Sequence, residues 1–444
     1  MSLKEFFYPK SIVIIGASNK PGKVGSTLAN KLLNFKGDLF YVNIEGYSIN
    51  TKLSYKSLLD IKERIDLAVI AVPPMFILKI LNECIKKRIK NIIIISSVFT
   101  GEKRKELENN ILNVAKNNKI RILGPNNFGI VNNSIDLDCT FSKLSSKKGS
   151  IAFASQSGAL YSSIADYSIT NNFGISKFIS FGDMIDIDFN EGLEYLIEDK
   201  ETKVIVLYIE TLKDGKKFMN IIKKSKKPII VLKGGKTDNG KTAAHSHTGS
   251  LAGSYEIYKA ASKQSGAFFT ETLTETLDLA KFISTNSKPN GRKTLIITNA
   301  GGPGVLLTDS LVENNLEIVS LPKNLRLNLP LSWSHNNPID VLGDAQPDRF
   351  KEVLNKIKDL HFYNILILAL TPQDMTKEKE IASLISDFKR KTKKTIICCL
   401  LGKESFKYSA WLLENNNIPV FHDLERPAKL LKNIFNVDKR NKII

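Results

Sequence analysis

Short runs of β-branched and aliphatic residues recur along the chain, each separated from the next by a stretch with apolar positions at helical spacing. The first group is SIVIIG (11–16), LFYVN (39–43), LAVIAV (67–72), NIIIIS (91–96) and IRILG (120–124). A second is SIAFAS (150–155), KVIVLYIE (203–210) and PIIVLKG (228–234). A third is KTLIITNAG (293–301), YNILILAL (363–370), KTIICCL (394–400) and IPVFH (418–422). Continuous Val/Ile runs without polar alternation predict strands buried on both faces. Their alternation with helical patterns predicts parallel, doubly wound sheets, so the fold class is α/β. The polar stretches SKLSSKKGS (142–150) and STNSKPNGRK (284–293) separate the groups. They predict three domains, 1–145, 146–288 and 289–444.

The last two domains echo one another. IAFASQSGALYSSIADYSITNNFGI (151–175) reads strand, small-residue turn, helix, NNFGI, and LIITNAGGPGVLLTDSLVENNLEI (295–318) repeats that order with NNLEI. Each predicts a helix N-terminus at the carboxyl end of a strand. Ligands bind there in open α/β sheets, and the free N–H groups and helix dipole favour anions.

Composition narrows the picture slightly. Of 444 residues 42% are hydrophobic and 25% charged, which suits a folded globular protein. The net charge of +19 comes from lysine spread along the whole chain. With no arginine-rich arm, RNP-like aromatic motif or zinc-finger spacing, nucleic acid is not an expected partner. The four cysteines, Cys84, Cys139, Cys398 and Cys399, have no C-x-x-C spacing, so buried thiols are expected and a zinc site is not. MSLKEFFYPK lacks a signal-peptide core, and LAVIAVPPMFIL is too short to span a bilayer. The expectation is a soluble, cytoplasmic protein with no membrane partner.

Three segments carry candidate chemistry. GASNKPGKVG (16–25) follows the first strand and opens a helix. Gly16, Gly22 and Gly25 leave room for a phosphate, and Lys20 and Lys23 add charge. Its spacing is not G-x-G-x-x-G; a dinucleotide reading would make Glu45 the ribose acceptor. GGKTDNGK (234–241) continues into Thr242 and spells a P-loop from Gly235, but AAHSHTGSLAGS behind it predicts a poor helix until about Ser254. The same loop holds His245 and His247. His247 is the stronger candidate: its neighbours are hydroxyl-bearing, and KVIVLYIE delivers Glu210 to a strand end. A carboxylate on one imidazole nitrogen fixes the tautomer and raises the nucleophilicity of the other. The SQSGAL turn would receive a phosphoryl group through Ser155, Ser157 and the Gly158 N–H.

At these residues the chain resembles the α subunit of ADP-forming acyl-CoA synthetases (acetate–CoA ligase, ADP-forming), relatives of succinyl-CoA synthetase. The matching segments are SIVIIGASNKPGKVG, AVPP, ILGPNNFGIVN, ASQSGAL, SFGDMIDIDF, VLYIE, SHTGSLAG, ITNAGGPGV and NPIDVLGDA. The resemblance implies a Rossmann-like CoA-binding domain followed by two flavodoxin-like, succinyl-CoA synthetase-like domains. It implies that acyl-CoA, phosphate and ADP are converted reversibly to acid, CoA and ATP through an acyl phosphate and a phosphohistidine. His247 matches the phosphorylated histidine and Glu210 its orienting carboxylate. Ser155, Gln156, Ser157 and Gly158, with Asn299, Gly301, Gly302 and Gly304, match the two helix N-termini that hold the phosphohistidine. CoA would lie on Gly16, Ser18, Lys20, Lys23, Val72, Pro73, Pro74, Ser97 and Asn126, with SVFTG (97–101) near its pantetheine end. No metal site is implied on this chain. ADP or ATP and Mg²⁺ would bind mainly on an ATP-grasp β subunit, for which 444 residues leave no room, in an α₂β₂ heterotetramer. Two departures stand out: Asn127 where many relatives carry Cys, and Asp183 where Asn is common. A CoA-binding regulatory protein without catalysis, a P-loop NTPase and an NAD-dependent oxidoreductase remain the alternatives at this point.

Overall fold

The computed structural model describes residues 3–97, 101–248 and 253–436, with the backbone alone at 244–248. The chain divides into two compact units between Glu271 and Thr272.

The first unit holds two main sheets. In the first, β1 (Ser11–Ile15), β2 (Asp38–Val42), β5 (Leu67–Ile70), β6 (Asn91–Ile94) and β7 (Arg121–Leu123) lie parallel in the order β2-β1-β5-β6-β7. β3 (Ser48–Ile49) and β4 (Lys52–Leu53) form a small separate hairpin. Alternate residues of these runs serve opposite faces. Val13, Ile15, Ala68, Ile70, Ile92 and Ile94 join one core, while Ile12, Ile14, Leu67, Val69 and Ile93 join another. That two-sided burial is why the sequence shows no polar alternation here.

The second sheet comprises β8 (Gly129–Asn132), β9 (Leu137–Thr140), β10 (Lys148–Ser155), β11 (Ile175–Ser180), β12 (Val204–Ile209), β13 (Ile229–Lys233) and β14 (Phe268–Thr270), ordered β14-β13-β12-β10-β11-β8-β9. Its first five members are parallel; the β8–β9 hairpin is antiparallel at the edge. The chain therefore enters its second sheet at Gly129, ahead of the polar stretch at 142–150.

The second unit holds β15 (Lys293–Thr298), β16 (Glu317–Ile318), β17 (Ile339–Asp340), β18 (Ile365–Leu370), β19 (Thr395–Leu400) and β20 (Val420–Phe421), all parallel, ordered β16-β15-β18-β19-β20, with β17 on the upper half of β15. The helix Leu273–Thr285 belongs to this unit. Its Asp278 grips Arg426 of the helix Arg426–Phe435 through two bonds of 2.6 and 2.8 Å. Cys398 and Cys399 are both fully buried, as are Cys84 and Cys139.

Each sheet has a topological switch point, where strand order reverses and the connections leave in opposite directions. It falls between β1 and β5 in the first sheet, β10 and β12 in the second, and β15 and β18 in the third. Among the described residues no helix is long and apolar enough to cross a membrane.

Candidate active site

The loop GASNKPGKVG leaves β1 at the first switch point and runs into the helix Val24–Lys31. Gly16 has φ 91°, and a Cβ there would sit 2.3 Å from the Ala71 carbonyl oxygen. A Cβ on Gly25 would lie 1.9 Å from the carbonyl oxygen of Gly16. Both glycines therefore let the helix close against the strand. Gly22, with φ 80° and nothing within 4 Å of a would-be Cβ, is the one that leaves open space. Ser18 is buried; its hydroxyl meets the Tyr47 hydroxyl at 3.1 Å and accepts from the Lys20 amide at 3.0 Å. Asn43 Nδ2 donates to the Ala17 carbonyl at 2.7 Å and to Tyr47 at 3.0 Å, bracing the loop from β2. Lys20 and Lys23 are exposed, and Lys20 lies 3.7 Å from Glu45. Opposite, the chain leaving β5 runs through Val72, Pro73 and Pro74. Ser96 Oγ donates to the Val72 carbonyl at 2.5 Å, which ties the end of β6 to this rim. Ser97 is exposed; positions 98–100 of SVFTG lie outside the described residues. Asn126 sits at φ 54° with its amide on the Ser96 carbonyl at 2.9 Å.

At the second switch point β10 delivers Ser155 and β12 delivers Glu210. Gln156 joins them: its Oε1 accepts from the Glu210 amide at 2.5 Å and from the Thr211 amide at 2.8 Å. Ser155 Oγ donates to the Ser157 carbonyl at 2.7 Å, which bends the chain into the helix Leu160–Thr170. Gly158 is compelled by packing, since a Cβ would fall 2.1 Å from Phe128 Cβ. The first-turn N–H groups of such a helix have no intrahelical acceptor and face the crevice. Glu210 is buried, and Tyr208, two residues earlier on the strand, hydrogen-bonds to its carboxylate. Burial first, and then the Glu210 charge, pushes the Tyr208 phenol up to about 12, so it remains a donor. Lys233 is buried beside them; burial lowers its ammonium and the Glu210 charge partly restores it.

Residues of the P-loop string adopt another structure, and one sequence expectation is corrected. A helix spans Asp238–Thr248, so the chain is helical well before Ser254. Small size and low polarity of Ala243 and Ala244 favour it. Gly240, Lys241 and Thr242 lie inside that helix, with their groups consumed locally. The Lys241 amide donates to the Thr237 carbonyl at 2.8 Å, Lys241 Nζ meets Asp238 at 2.8 Å, and Thr242 Oγ1 donates to the Asp238 carbonyl at 3.1 Å. A phosphate cradle needs those amides turned outward, so this is no P-loop. Lys236 is bound to Glu271 at 2.6 Å, and Glu271 is drawn down to about 2 by Lys236 and Lys259. The backbones of His245 and His247 fall in the last turns of this helix; their side chains lie outside the described residues.

The third switch point repeats the second in detail. Thr298 Oγ1 donates to the Ala300 carbonyl at 2.9 Å, as Ser155 does to Ser157. Asn299, fully buried, takes the place of Gln156. Its Oδ1 accepts from the Thr371 amide at 2.9 Å, and its Nδ2 donates to the Thr371 carbonyl, Gln373 and Thr376. The helix Gly301–Glu313 then opens on exposed Gly301 and Gly302, while Gly304 packs on Thr298 and Pro338. A Cβ on Gly301 would lie 3.5 Å from the Asp340 carboxylate, a negative group that the helix N-terminus favours. Among the described residues no three His, Cys, Asp or Glu gather as a metal site.

Comparison with known proteins places this geometry. A CoA binding domain model matches residues 10–133, a succinyl-CoA ligase like flavodoxin domain model 148–283, and a ligase-CoA domain model 294–440. The α subunit of acetate–CoA ligase [ADP-forming] II from Pyrococcus furiosus is 38% identical over 96% of this chain and 95% of its own length. The chain belongs to the ADP-forming acetate–CoA ligase family. An acetate–CoA ligase [ADP-forming] from Methanocaldococcus jannaschii is 42% identical over 98% of this chain, which spans only 63% of that relative. A solved structure, the acetyl-coenzyme A synthetase 1 of Candidatus Korarchaeum cryptofilum with phosphate and ADP, superposes with a TM-score of 0.90 at 30% identity, covering 100% of this chain and 98% of that one.

Within that family the two departures have structural answers. Asn127 is buried; its side chain donates to the Ser180 carbonyl and accepts from the Gly129 amide, holding the turn into β8. Asp183 pairs with Arg104 at 2.8 Å. Sequence reasoning passed over Tyr208, Tyr47 and Asn43. Tyr208 had a usable signal, since position i−2 on a strand shares a face with Glu210. The other two act through a loop contact that spacing does not encode.

Proposed function

We propose that this chain is the α component of an ADP-forming acyl-CoA synthetase, converting acyl-CoA, ADP and phosphate reversibly to a carboxylic acid, CoA and ATP. The observation that carries the reading is the second switch point, where one amide side chain sets a buried glutamate beside the N-terminus of a helix. CoA is assigned to the first switch point. Gly22 leaves room for its phosphates, Ser18, Lys20 and Lys23 supply donors and charge, and Val72, Pro73 and Pro74 form an apolar wall.

In the forward direction a phosphate oxygen attacks the thioester carbonyl and the C–S bond breaks. CoA departs as a thiolate and an acyl phosphate remains. A ring nitrogen of His247 then attacks phosphorus, and the acid leaves as its carboxylate. Glu210 accepts a hydrogen bond from the other ring nitrogen and stabilises the imidazolium that forms. The N–H groups at Ser157 and Gly158 receive the phosphoryl oxygens without reorganisation. The helix that Gly301, Gly302 and Gly304 open has the same build, and the same role is assigned to it. Asn299 is assigned to holding that turn rather than to touching phosphate. The N–P bond is finally broken by ADP, on an ATP-grasp β subunit that also brings Mg²⁺, in an α₂β₂ assembly.

Incubation with acetyl-CoA and ³²P-phosphate tests the reading. The chain should acquire an acid-labile, base-stable label that His247→Ala abolishes and His245→Ala retains. Adding an ATP-grasp protein that co-purifies should pass the label to ADP. Undiminished labelling of His247→Ala would refute it. A chain that binds CoA and never takes up label would favour the regulatory alternative.

A further inference from the structure

Asp183 has no part in the reaction as written, yet three segments converge on it. It lies in the loop after β11, its amide donating to the Pro125 carbonyl at 2.9 Å, and its side chain is 5% exposed. One oxygen, Oδ1, receives Arg104 Nη2 at 2.8 Å and Asn126 Nδ2 at 3.3 Å. The other, Oδ2, is buried and accepts no hydrogen bond among the described residues. Arg104 belongs to the first turn of the helix Glu102–Asn117, and its Nε holds Glu108 at 2.8 Å one turn on. That helix follows directly from SVFTG. A single carboxylate thus ties the first turn of that helix to the Asn126 loop, and Asn126 is among the residues assigned to CoA. A buried acceptor without a donor is costly, and such a group in a native fold calls for an explanation.

We propose that Asp183 is a positioning residue for the thioester end of CoA, orienting the Asn126 amide and fixing the first turn of the helix that begins at Glu102. The proposal rests on the CoA reading of the first switch point. With its Nδ2 anchored on Asp183, the Asn126 amide is held in one orientation. Fixing the helix start likewise fixes Gly101, where the SVFTG segment ends.

The clamp depends on a proton. Burial raises the Asp183 carboxyl to about 6 against the pull of Arg104 and Asn126, and the Glu108 carboxylate raises it further. The other charged groups nearby are engaged elsewhere: Lys213 donates to the Met184 carbonyl, and Asp186 is held by Arg121 at 3.0 Å. Ionised, Asp183 holds Arg104 and Asn126 together; protonated, it is a weaker acceptor for both, and the clamp loosens.

Calorimetric titration of the full chain with CoA from pH 5 to 8 tests this, comparing wild type with Asp183→Asn. The ligand's own phosphate titration is common to both. Wild-type affinity should gain about tenfold across pH 6 relative to the variant. In the reconstituted enzyme Asp183→Asn should raise KM for CoA about tenfold with kcat changed less than twofold. Arg104→Met, which removes the stabilising cation, should move the wild-type midpoint upward. Parallel profiles for wild type and Asp183→Asn, or an unmoved midpoint in Arg104→Met, overturn the proposal alone. Failure of wild type to bind CoA at any pH overturns the CoA reading and the proposal with it.

Discussion

Replacing Gln156 with alanine should loosen the strand end that presents Glu210. The Gln156 side chain satisfies two backbone donors, at 2.5 and 2.8 Å, and its Nε2 reaches Thr211 Oγ1 at 3.2 Å. Glu210 is 5% exposed, so its amide cannot turn to water, and leaving it unpaired costs roughly 1–3 kcal/mol. Thr211 is half-buried, and its amide can be partly rehydrated at roughly 0.5–1 kcal/mol. The sum is about 2–4 kcal/mol of local stability, or a factor of roughly 30 to 1000 in the opening equilibrium. Hydrogen–deuterium exchange read by mass spectrometry should show amides 209–211 exchanging faster by that factor, with β19 unchanged as the internal control. Gln156→Glu separates scaffold from chemistry. Its carboxylate still accepts both N–H groups, so protection should survive. The second negative charge beside Glu210 should weaken its hold on an imidazole and suppress phosphohistidine formation about tenfold or more. Wild-type exchange in Gln156→Ala would refute the argument, because the only change would then be a side chain that held nothing.

Three other outcomes follow from the same contacts. Gly16→Ala must place a side chain at φ 91° and 2.3 Å from a carbonyl oxygen, so it should cost at least about 2 kcal/mol and abolish CoA binding in a thermal-shift assay. Lys241→Ala removes only an exposed i,i+3 ion pair with Asp238. It should leave phosphohistidine labelling within twofold of wild type, and a loss of a hundredfold would reinstate the P-loop. Asp183 titrates near 6 when folded and near its ordinary 3.8 when unfolded. The folded state therefore binds the extra proton between those values. The Asp183 contribution to stability is fully present below about pH 4, declines as pH rises through 6, and is lost above, by at most about 3 kcal/mol. Urea titrations should show that slope in wild type and not in Asp183→Asn.

The strands that carry the switch points were legible because burial on both faces forces unbroken apolar runs. β11 was not. Its sequence ISKFIS interrupts the pattern with Lys177, which is fully buried in the structure. Lys177 tolerates burial because Asp199 lies 3.5 Å away and Glu201 also binds its ammonium. Both partners are more than twenty residues distant, so no local window reveals the compensation. The β8–β9 hairpin escaped for another reason. Edge strands of four residues carry little periodicity, and their membership in the second sheet is decided by pairing with β11. The helix Asp238–Thr248 was obscured by glycines and hydroxyl residues whose side chains cap its own first turn, as Thr237 does for the Gly240 amide.

The internal echo was visible as a string, and the structure gives it a cause. In both sheets the hydroxyl at the strand end binds the carbonyl two residues on, and the amide side chain next to it clips the end of the neighbouring strand across the switch point. The repeat therefore conserves a way of presenting a helix N-terminus. It does not conserve chemistry. Continuing β12 and β18 by one residue gives Glu210 in one case and Thr371 in the other, and only the first is a carboxylate able to orient an imidazole. Asn299 shows the same division: with Nδ2 on three acceptors and Oδ1 holding the Thr371 amide, its donors and acceptor are spent on the fold. One copy of the motif thus combines anion-binding amides with a carboxylate that can serve a nucleophile, and the other offers the amides alone. Introducing the carboxylate into the second copy should not create a second phosphorylated histidine, because Thr371→Glu would bring a charge to a turn that the Asp340 carboxylate already faces.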